Sequence, residues 1–305
     1  MNEEYDVVIA GGGPSGLSAA LVLGRARKRV LLCDSGPRRN AAAERIHGFV
    51  TRDGTPPSEF RHIGREQLRH YPNVSVRDVR VEDVRGDKGA FEVSLEDGVV
   101  RARRVIVGVG MVDELPPIPG YRELWGKAIF QCPYCHGWEV QDGAFALIAS
   151  GPPMVEFSLF LRGWTKDLVV FTDARFEVAD DLRRRVLGAG ITIEERAIAK
   201  LIPDASGQHL EAIELADGAR IARRVVFARP AQRQPALVTR LDLALDENGF
   251  VRLSEHRETS RPGIYAAGDS TTMMQGALVA ASSGAHAAYM LNHELTMELA
   301  ASGLL

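Results

Sequence analysis

Apolar residues in this chain come in short unbroken runs, separated by glycine, proline and charged positions. "YDVVIA" (5–10) is too continuous for a half-exposed strand and predicts one buried on both faces, as in a parallel sheet. "LSAALVLGRAR" (17–27) has the length and the alanine and leucine content of a helix, and "RVLLCD" (29–34) is a second buried strand ending in an acid. These three form a βαβ unit of about thirty residues. A loop rich in glycine, proline and basic residues follows at 35–60, and a helix is predicted over 58–71. Strands are expected around 74–82, 90–95 and 99–107, with "EDG" (96–98) as a hairpin turn. "VIVGVGMVDELPPIPG" (105–120) begins as a strand and breaks into a proline-rich crossing, which marks a boundary.

A second α/β pattern starts near 145. It runs through strand "FALIAS" (145–150), a turn at 151–153, a helix at 154–163, strand "LVVFTD" (168–173), a helix at 177–190 and strand "ITIEER" (191–196). Strands around an "ADG" turn fill 209–228, and "RPAQRQPA" (229–236) reads as a second crossing. The chain then returns with "GIYAAGDS" (263–270) and a long helix at 276–300. The implied fold class is α/β, with two Rossmann-like nucleotide-binding domains, the second inserted in the first. The boundaries predicted are 1–116 with 237–305 for the outer domain, and 117–236 for the inserted one.

Composition narrows the function classes. With 45% apolar and 25% charged residues the 305-residue chain reads as an ordinary globular protein, and a net charge of −3 argues against a general nucleic-acid binder. No apolar run reaches the roughly 18 residues of a membrane span. The acidic start "MNEEYDVVIAGGG" does not read as a signal peptide. Three cysteines are too few for a disulfide framework, so a reducing cytoplasm is the expected compartment. In that setting the pair in "FQCPYCHGWEV" (130–140) points to catalysis or metal binding rather than a static staple.

Gly11, Gly13 and Gly16 satisfy G-x-G-x-x-G between a strand and a helix, with Asp34 closing the next strand. The first glycine permits the tight turn, the second lets the backbone approach a pyrophosphate, and the third allows helix and strand to pack closely. The helix start then offers free N–H groups to the phosphates, and Asp34 accepts from the adenosine ribose. Glycines alone do not separate NAD from FAD. "GIYAAGDS" favours FAD, because Asp269 follows an apolar strand where a ribityl chain and pyrophosphate require an acid; the alternative for Asp269 is a helix N-cap.

With these features in order, the chain resembles the low-molecular-weight thioredoxin reductase family of flavoproteins. The resemblance rests on "GGGPSG" (11–16, including Pro14 and Ser15), "VIVGVG" (ending at Gly110) with "LPPIPG", "CPYCHG" (132–137) and "GIYAAGDS" (with Gly268), and it covers nearly the whole sequence. It implies a three-layer FAD/NAD(P)-type fold, an FAD domain built from two segments, and usually a homodimer. It also implies that Cys135 faces the flavin, that Cys132 reacts with the external sulfur, that Gln275 lies against the flavin ring and that Ala277 is a cofactor-binding residue. His47, in "HGF", falls in a loop that approaches the flavin in the family.

Two departures redirect the reading. Where the family carries a second glycine loop for NADPH, this chain has "ASGPPM" (149–154), in which Pro152 and Pro153 remove two amide donors. The basic stretch that would hold the 2′-phosphate is replaced by "FTDARFE" (171–177), where Asp173 repels the phosphate and only Arg175 helps. NADPH binding is therefore expected to be lost. His136 stands where thioredoxin reductases carry an aspartate, and "CPYCHG" looks like the dithiol oxidases that close disulfides in sulfur-containing natural products. A histidine near its usual pKa of about 6.5 takes a proton from a thiol better than an aspartate does; the alternative is a histidine that only packs.

For Cys132 and Cys135 a zinc site lacks its further ligands, so no metal is expected, and a static bridge over two residues would constrain little. A reversible redox pair fits best, and Cys33 reads as a buried small hydrophobe. The function expected is an FAD-dependent dithiol oxidase, taking a small dithiol or a thioredoxin-like protein as substrate and passing electrons to molecular oxygen. One alternative is a disulfide reductase driven by NADPH or another donor such as ferredoxin, and a second is a non-catalytic flavin redox sensor.

Overall fold

The computed structural model describes residues 3–36 and 39–303. The chain opens with β1 (Glu4–Ala10), α1 (Pro14–Arg25) and β2 (Val30–Cys33). Helix α2 (Pro57–Leu68) leads into β3 (Val74–Arg77), and β4 (Val81–Asp87), β5 (Ala90–Leu95) and β6 (Gly98–Val107) form a meander. After β7 (Val112–Glu114) come α3 (Tyr121–Leu124), β8 (Ile129–Phe130), α4 (Pro133–His136), β9 (Phe145–Ile148) and α5 (Pro152–Leu161). Then follow β10 (Leu168–Phe171), α6 (Asp180–Gly188), β11 (Thr192–Glu194), β12 (Ile198–Pro203), β13 (Leu210–Leu215) and β14 (Arg220–Ala222). The last elements are β15 (Val225–Ala228), β16 (Ala231–Arg233), α7 (Ala236–Arg240), β17 (Ile264–Ala266) and α8 (Ala277–Ala301). Two compact units result: Met1–Ala41, Phe49–Val112 and Arg233–Leu305 form one, and Ala42–Gly48 with Asp113–Gln232 the other.

In the first unit β3, β2, β1 and β6 run parallel in that order. Strand β6 is long enough to serve two partners on one edge. Its N-terminal half pairs antiparallel with β5, from Gly98 opposite Leu95 to Ala102 opposite Phe91, and its C-terminal half pairs parallel with β17, from Val105 opposite Ile264 to Val107 opposite Ala266. Side chains alternate between two cores. Val7, Ile9, Val30, Leu32 and Ile106 pack with Ala19, Ala20 and Leu23 of α1 and Ala287 and Leu291 of α8. Val8, Ala10, Leu31, Cys33, Val105 and Val107 pack with Phe91, Val93 and Leu95 of the meander. Both faces are covered, which is why "YDVVIA" carries no polar alternation. Each such aliphatic side chain stabilises the fold by roughly 1.5–3 kcal/mol.

Helix α8 is anchored on the sheet by a charge network around Arg104, whose side chain is fully buried. Its Nε and Nη2 donate to Glu294 Oε1 at 3.0 and 2.7 Å, and Nη2 also reaches Glu298. Tyr265 donates to the other Glu294 oxygen at 2.7 Å.

The second unit repeats the plan. Five parallel strands run in the order β11-β10-β9-β15-β8, and β12-β13-β14 form a separate antiparallel sheet. Phe145, Leu147, Val170 and Phe227 pack with Val155 and Leu161 of α5 and Val186 of α6. The opposite face, with Ala146, Ile148, Phe171 and Val226, meets Tyr121, Leu201 and Ile213. Helices α1 and α5 begin at Pro14 and Pro152, earlier than their apolar periodicity starts, because proline's fixed φ and missing N–H suit the first helical turn. Strand β12 and the one-turn helices α3 and α4 were not foreseen, being too short to show a period. Among the described residues no helix is long and apolar enough to cross a membrane.

Candidate functional site

The loop between β1 and α1 has the form its glycines prescribe. Gly11 has φ +112°, and a Cβ there would lie 2.2 Å from the carbonyl oxygen of Gly108. Gly13 caps α1 with no side-chain partner, and nothing lies within 4 Å of where its Cβ would be. A Cβ on Gly16 would fall 1.8 Å from the Gly11 carbonyl oxygen. The first and third glycines thus let the turn close, while the second leaves open space over a helix start. The first intrahelical bond is donated by Leu17 N–H to Gly13 O at 2.9 Å, and Pro14 at the first position has no donor. The amides of Ser15 and Gly16 are therefore left at the helix end, as an anion cradle requires.

Asp34 stands at the end of β2, buried, and a Cβ on Gly12 would lie 2.0 Å from its Oδ2. Its carboxylate accepts from Gly36 N–H at 3.0 Å and from Arg61 Nε at 2.6 Å, with Arg65 Nη2 at 3.5 Å. These arginines went unnoticed in the sequence, although their spacing of four puts both on one face of α2. Across the unit, Gly268 has φ +84°, and its N–H donates to Ser283 Oγ at 3.1 Å. A Cβ on Gly268 would sit 3.0 Å from Ser15 Oγ, and one on Gly284 would sit 1.9 Å from Ser15 O. The turn before α8 and the start of α1 therefore meet at Ser15. Arg39 Nη1 donates to Asp269 Oδ2 at 2.8 Å and to Gln275 Oε1 at 2.7 Å, gathering two predicted residues around a cation the sequence did not flag. Gly110, with φ +70°, has open space beside it, and Ala277 begins α8. Free amides at a glycine-bounded helix start, an acid at the end of β2 and open space over Gly13 fit an FAD-type dinucleotide.

The second unit carries the sulfur chemistry. Cys132 and Cys135 are joined as a disulfide, with Cys132 capping α4 and Cys135 inside its single turn. Gly137 lets this turn seat: a Cβ there would lie 2.5 Å from Pro133 O and 2.7 Å from the Trp164 ring. His136 stacks on Phe130, centroids 4.2 Å apart and planes 11° from parallel. Both of its ring nitrogens are buried and lack a hydrogen-bond partner. Burial, and secondarily the charge of His47, push its pKa down from the usual 6.5 to about 4. With the disulfide closed, this burial favours the neutral imidazole of His136. His47 groups with this unit, its Nε2 3.4 Å from Glu139 Oε1. Glu139, three residues past His136, was not singled out from the sequence. Cys33 is buried in the first unit, and desolvation pushes its thiol up to about 12, so it has no thiolate character.

At the second glycine-type loop, Gly151 caps α5 and Pro152 and Pro153 fill its first two positions. The next amides are used internally, Met154 N–H donating to Gly151 O at 3.0 Å and Val155 N–H to the same oxygen at 3.3 Å. Asp173, with φ +55°, accepts from Ile198 N–H at 2.7 Å and from Arg175 Nε at 2.9 Å. Arg175 is thus tied to a carboxylate.

A dinucleotide cradle in one Rossmann-like unit and a CxxC disulfide in the other define a flavoprotein oxidoreductase acting on thiols and disulfides. The family model described as pyridine nucleotide-disulphide oxidoreductase matches residues 5–284, and the chain belongs to that family. Thioredoxin reductase tcpT of Claviceps purpurea is 31% identical, across 96% of this chain and 95% of its own. Thioredoxin reductase aclD of Aspergillus oryzae is 30% identical, across 96% and 97%. Among solved structures, HlmI superposes with a TM-score of 0.91 at 38% identity, covering 98% of this chain and 95% of that one. An oxidoreductase from Agrobacterium tumefaciens gives 0.90 at 35% identity, covering 96% and 99%.

Proposed function

We propose that this protein is a dithiol oxidase, forming a disulfide in its substrate through the Cys132–Cys135 pair. The observation that carries the reading is the closed first turn of α5, where two prolines and two internally bonded amides leave almost no phosphate ligands. Electrons then enter from a dithiol instead of NADPH. A substrate thiolate attacks Cys132 Sγ, the sulfur–sulfur bond breaks, and Cys135 leaves as a thiolate. The substrate's second thiol loses its proton and displaces Cys132, so the product carries the disulfide and the enzyme holds the electron pair as a dithiol. Bound FAD supplies the two-electron chemistry that closes the pair again, with molecular oxygen as final acceptor. On this reading Gly11, Gly13, Pro14, Ser15, Gly16, Asp34, His47, Gly110, Gly268, Asp269, Gln275 and Ala277 serve the FAD. Substrates are a small dithiol or a thioredoxin-like protein, and the enzyme works as a homodimer in the cytoplasm.

The second reading is a disulfide reductase, favoured by relatives named thioredoxin reductases. Anaerobic mixing separates the two. A dithiol should bleach the flavin absorbance, air should restore it with peroxide formed, and NADPH should do nothing. Prompt bleaching by NADPH would make the protein a reductase. Serine at Cys132 or Cys135 should abolish turnover while flavin stays bound.

A further inference from the structure

Tyr134 stands between the two cysteines, and its place is fixed from both sides. The disulfide closes the turn with the Cys132 and Cys135 Cα atoms 5.3 Å apart, and Cys135 N–H donates to Cys132 O at 3.2 Å. The Tyr134 ring lies against Phe160 of α5 and Trp164 just beyond it, both centroids 5.6 Å away, and those two rings are 5.2 Å apart. Phe157 extends the cluster at 5.5 Å from Phe160, and its own face is covered by the Arg229 guanidinium at 5.6 Å. Packing accounts for Trp164, whose ring seats Gly137 and with it the redox turn. Tyr134 and Phe160 instead keep 70% and 42% exposure. A lone exposed ring needs no explanation. Two touching rings, one of them inside the CxxC turn, form a surface that any molecule reaching the half-buried cysteines must meet.

Charge and size select what this surface takes. Glu156 of α5 is paired with Arg185, and Arg162, which caps α5, donates to Ala189 O and Thr165 O. On α4 the nitrogens of His136 are buried. These two helices therefore offer the ligand aromatic faces rather than ionic partners. Two aromatic side chains supply at most about 300–500 Å² of contact, against about 800 Å² on each side of a standard protein interface. We propose that Tyr134 and Phe160 form the recognition surface for a small, uncharged dithiol built on a planar unsaturated ring, which packs on Tyr134 while its thiols reach the disulfide. The inference rests on the dithiol-oxidising reading of the Cys132–Cys135 pair and names its substrate class. The first substrate thiolate bonds to Cys132 Sγ as the sulfur–sulfur bond breaks, and the second substrate thiol closes the product's disulfide. Two electrons and two protons pass from the substrate to the enzyme's cysteines.

Anaerobic holoprotein is mixed at matched concentrations with ortho-xylylenedithiol, a benzene ring bearing two alkyl thiols, or with dithiothreitol. Electron entry is read as flavin bleaching and as cysteines alkylated in quenched samples. Dividing each rate by the same dithiol's rate with oxidised glutathione at that pH removes intrinsic thiol reactivity. Wild type is expected to favour the ring dithiol. Tyr134→Ala should lose roughly two- to twelvefold of that preference, the contribution of one aromatic pair. Phe160→Ala should lose a smaller part, and Tyr134→Phe none, because the ring and not the hydroxyl makes the surface. Equal normalised rates in wild type would overturn the proposal, and so would Tyr134→Ala slowing both dithiols alike, which marks a role confined to the turn. Faster opening by a reduced thioredoxin, slowed in Tyr134→Ala, would also overturn it by giving the surface to a protein partner. Opening without preference removes this proposal alone; if neither dithiol opens the disulfide, the redox-pair reading falls with it.

Discussion

Replacing Pro152 with glycine and Pro153 with alanine should tighten the binding of NADPH to this protein. The present first turn of α5 has no N–H at its first two positions, and Met154 and Val155 donate to Gly151 O. Each restored amide can make a charge-assisted hydrogen bond of about 1.5–3 kcal/mol. Two give about 3–6 kcal/mol, less about 1 kcal/mol for the added backbone freedom of glycine. The net, about 2–5 kcal/mol, corresponds to roughly 30- to several-thousand-fold tighter binding. Titration of NADPH followed by its own fluorescence reads this directly, with Pro153→Ala alone expected to recover about half of the gain in free energy. Asp173→Asn in the same background frees Arg175 from its carboxylate and should add a preference for NADPH over NADH. The reasoning is refuted if wild type already binds NADPH at micromolar concentration, or if the double variant binds no better than wild type.

Alkylation of the native oxidised protein should modify no cysteine, since Cys33 is buried with its thiol pushed up to about 12, and mass measurement after mild reduction should show two modified sites. Gly284→Ala places a methyl group 1.9 Å from Ser15 O; overpacking of about 1–3 kcal/mol and a displaced α1 start should lower both Tm and the flavin-to-protein absorbance ratio. Arg104→Met removes the cation shared by Glu294 and Glu298, and urea unfolding should show a loss near the lower end of the 3–5 kcal/mol typical of breaking a buried pair, because the carboxylates are partly exposed. For His136 the folded pKa of about 4 lies below the unfolded 6.5, so the unfolded chain binds the proton first as pH falls. The stability it confers is present above about pH 6.5 and is lost progressively down to about pH 4, roughly 3 kcal/mol in all; His136→Phe should show a correspondingly weaker acid dependence in that window.

What could be read from the sequence, and what could not, divides by the range of the interaction. Gly11, Gly13 and Gly16 were readable because each answers to a neighbour in the same turn or to the adjoining strand, and "ASGPPM" was readable because proline's missing N–H is a property of the residue itself. The double use of β6 was hidden, since its ten residues look like one strand whichever partner each half takes. Arg39, Arg61 and Arg65 were hidden too: each looks like a surface cation, and only the folded chain brings Arg39 to Asp269, 230 positions away, or Arg61 and Arg65 to Asp34. His136 shows the limit most sharply. Its place after CPYC announces a role at the disulfide, yet its pKa is lowered chiefly by burial, in a position stacked on Phe130 that no local pattern records. A residue type and its spacing therefore name a candidate for proton transfer, while the ease with which it takes a proton follows from burial first and from the charge of His47, far upstream in the chain, second.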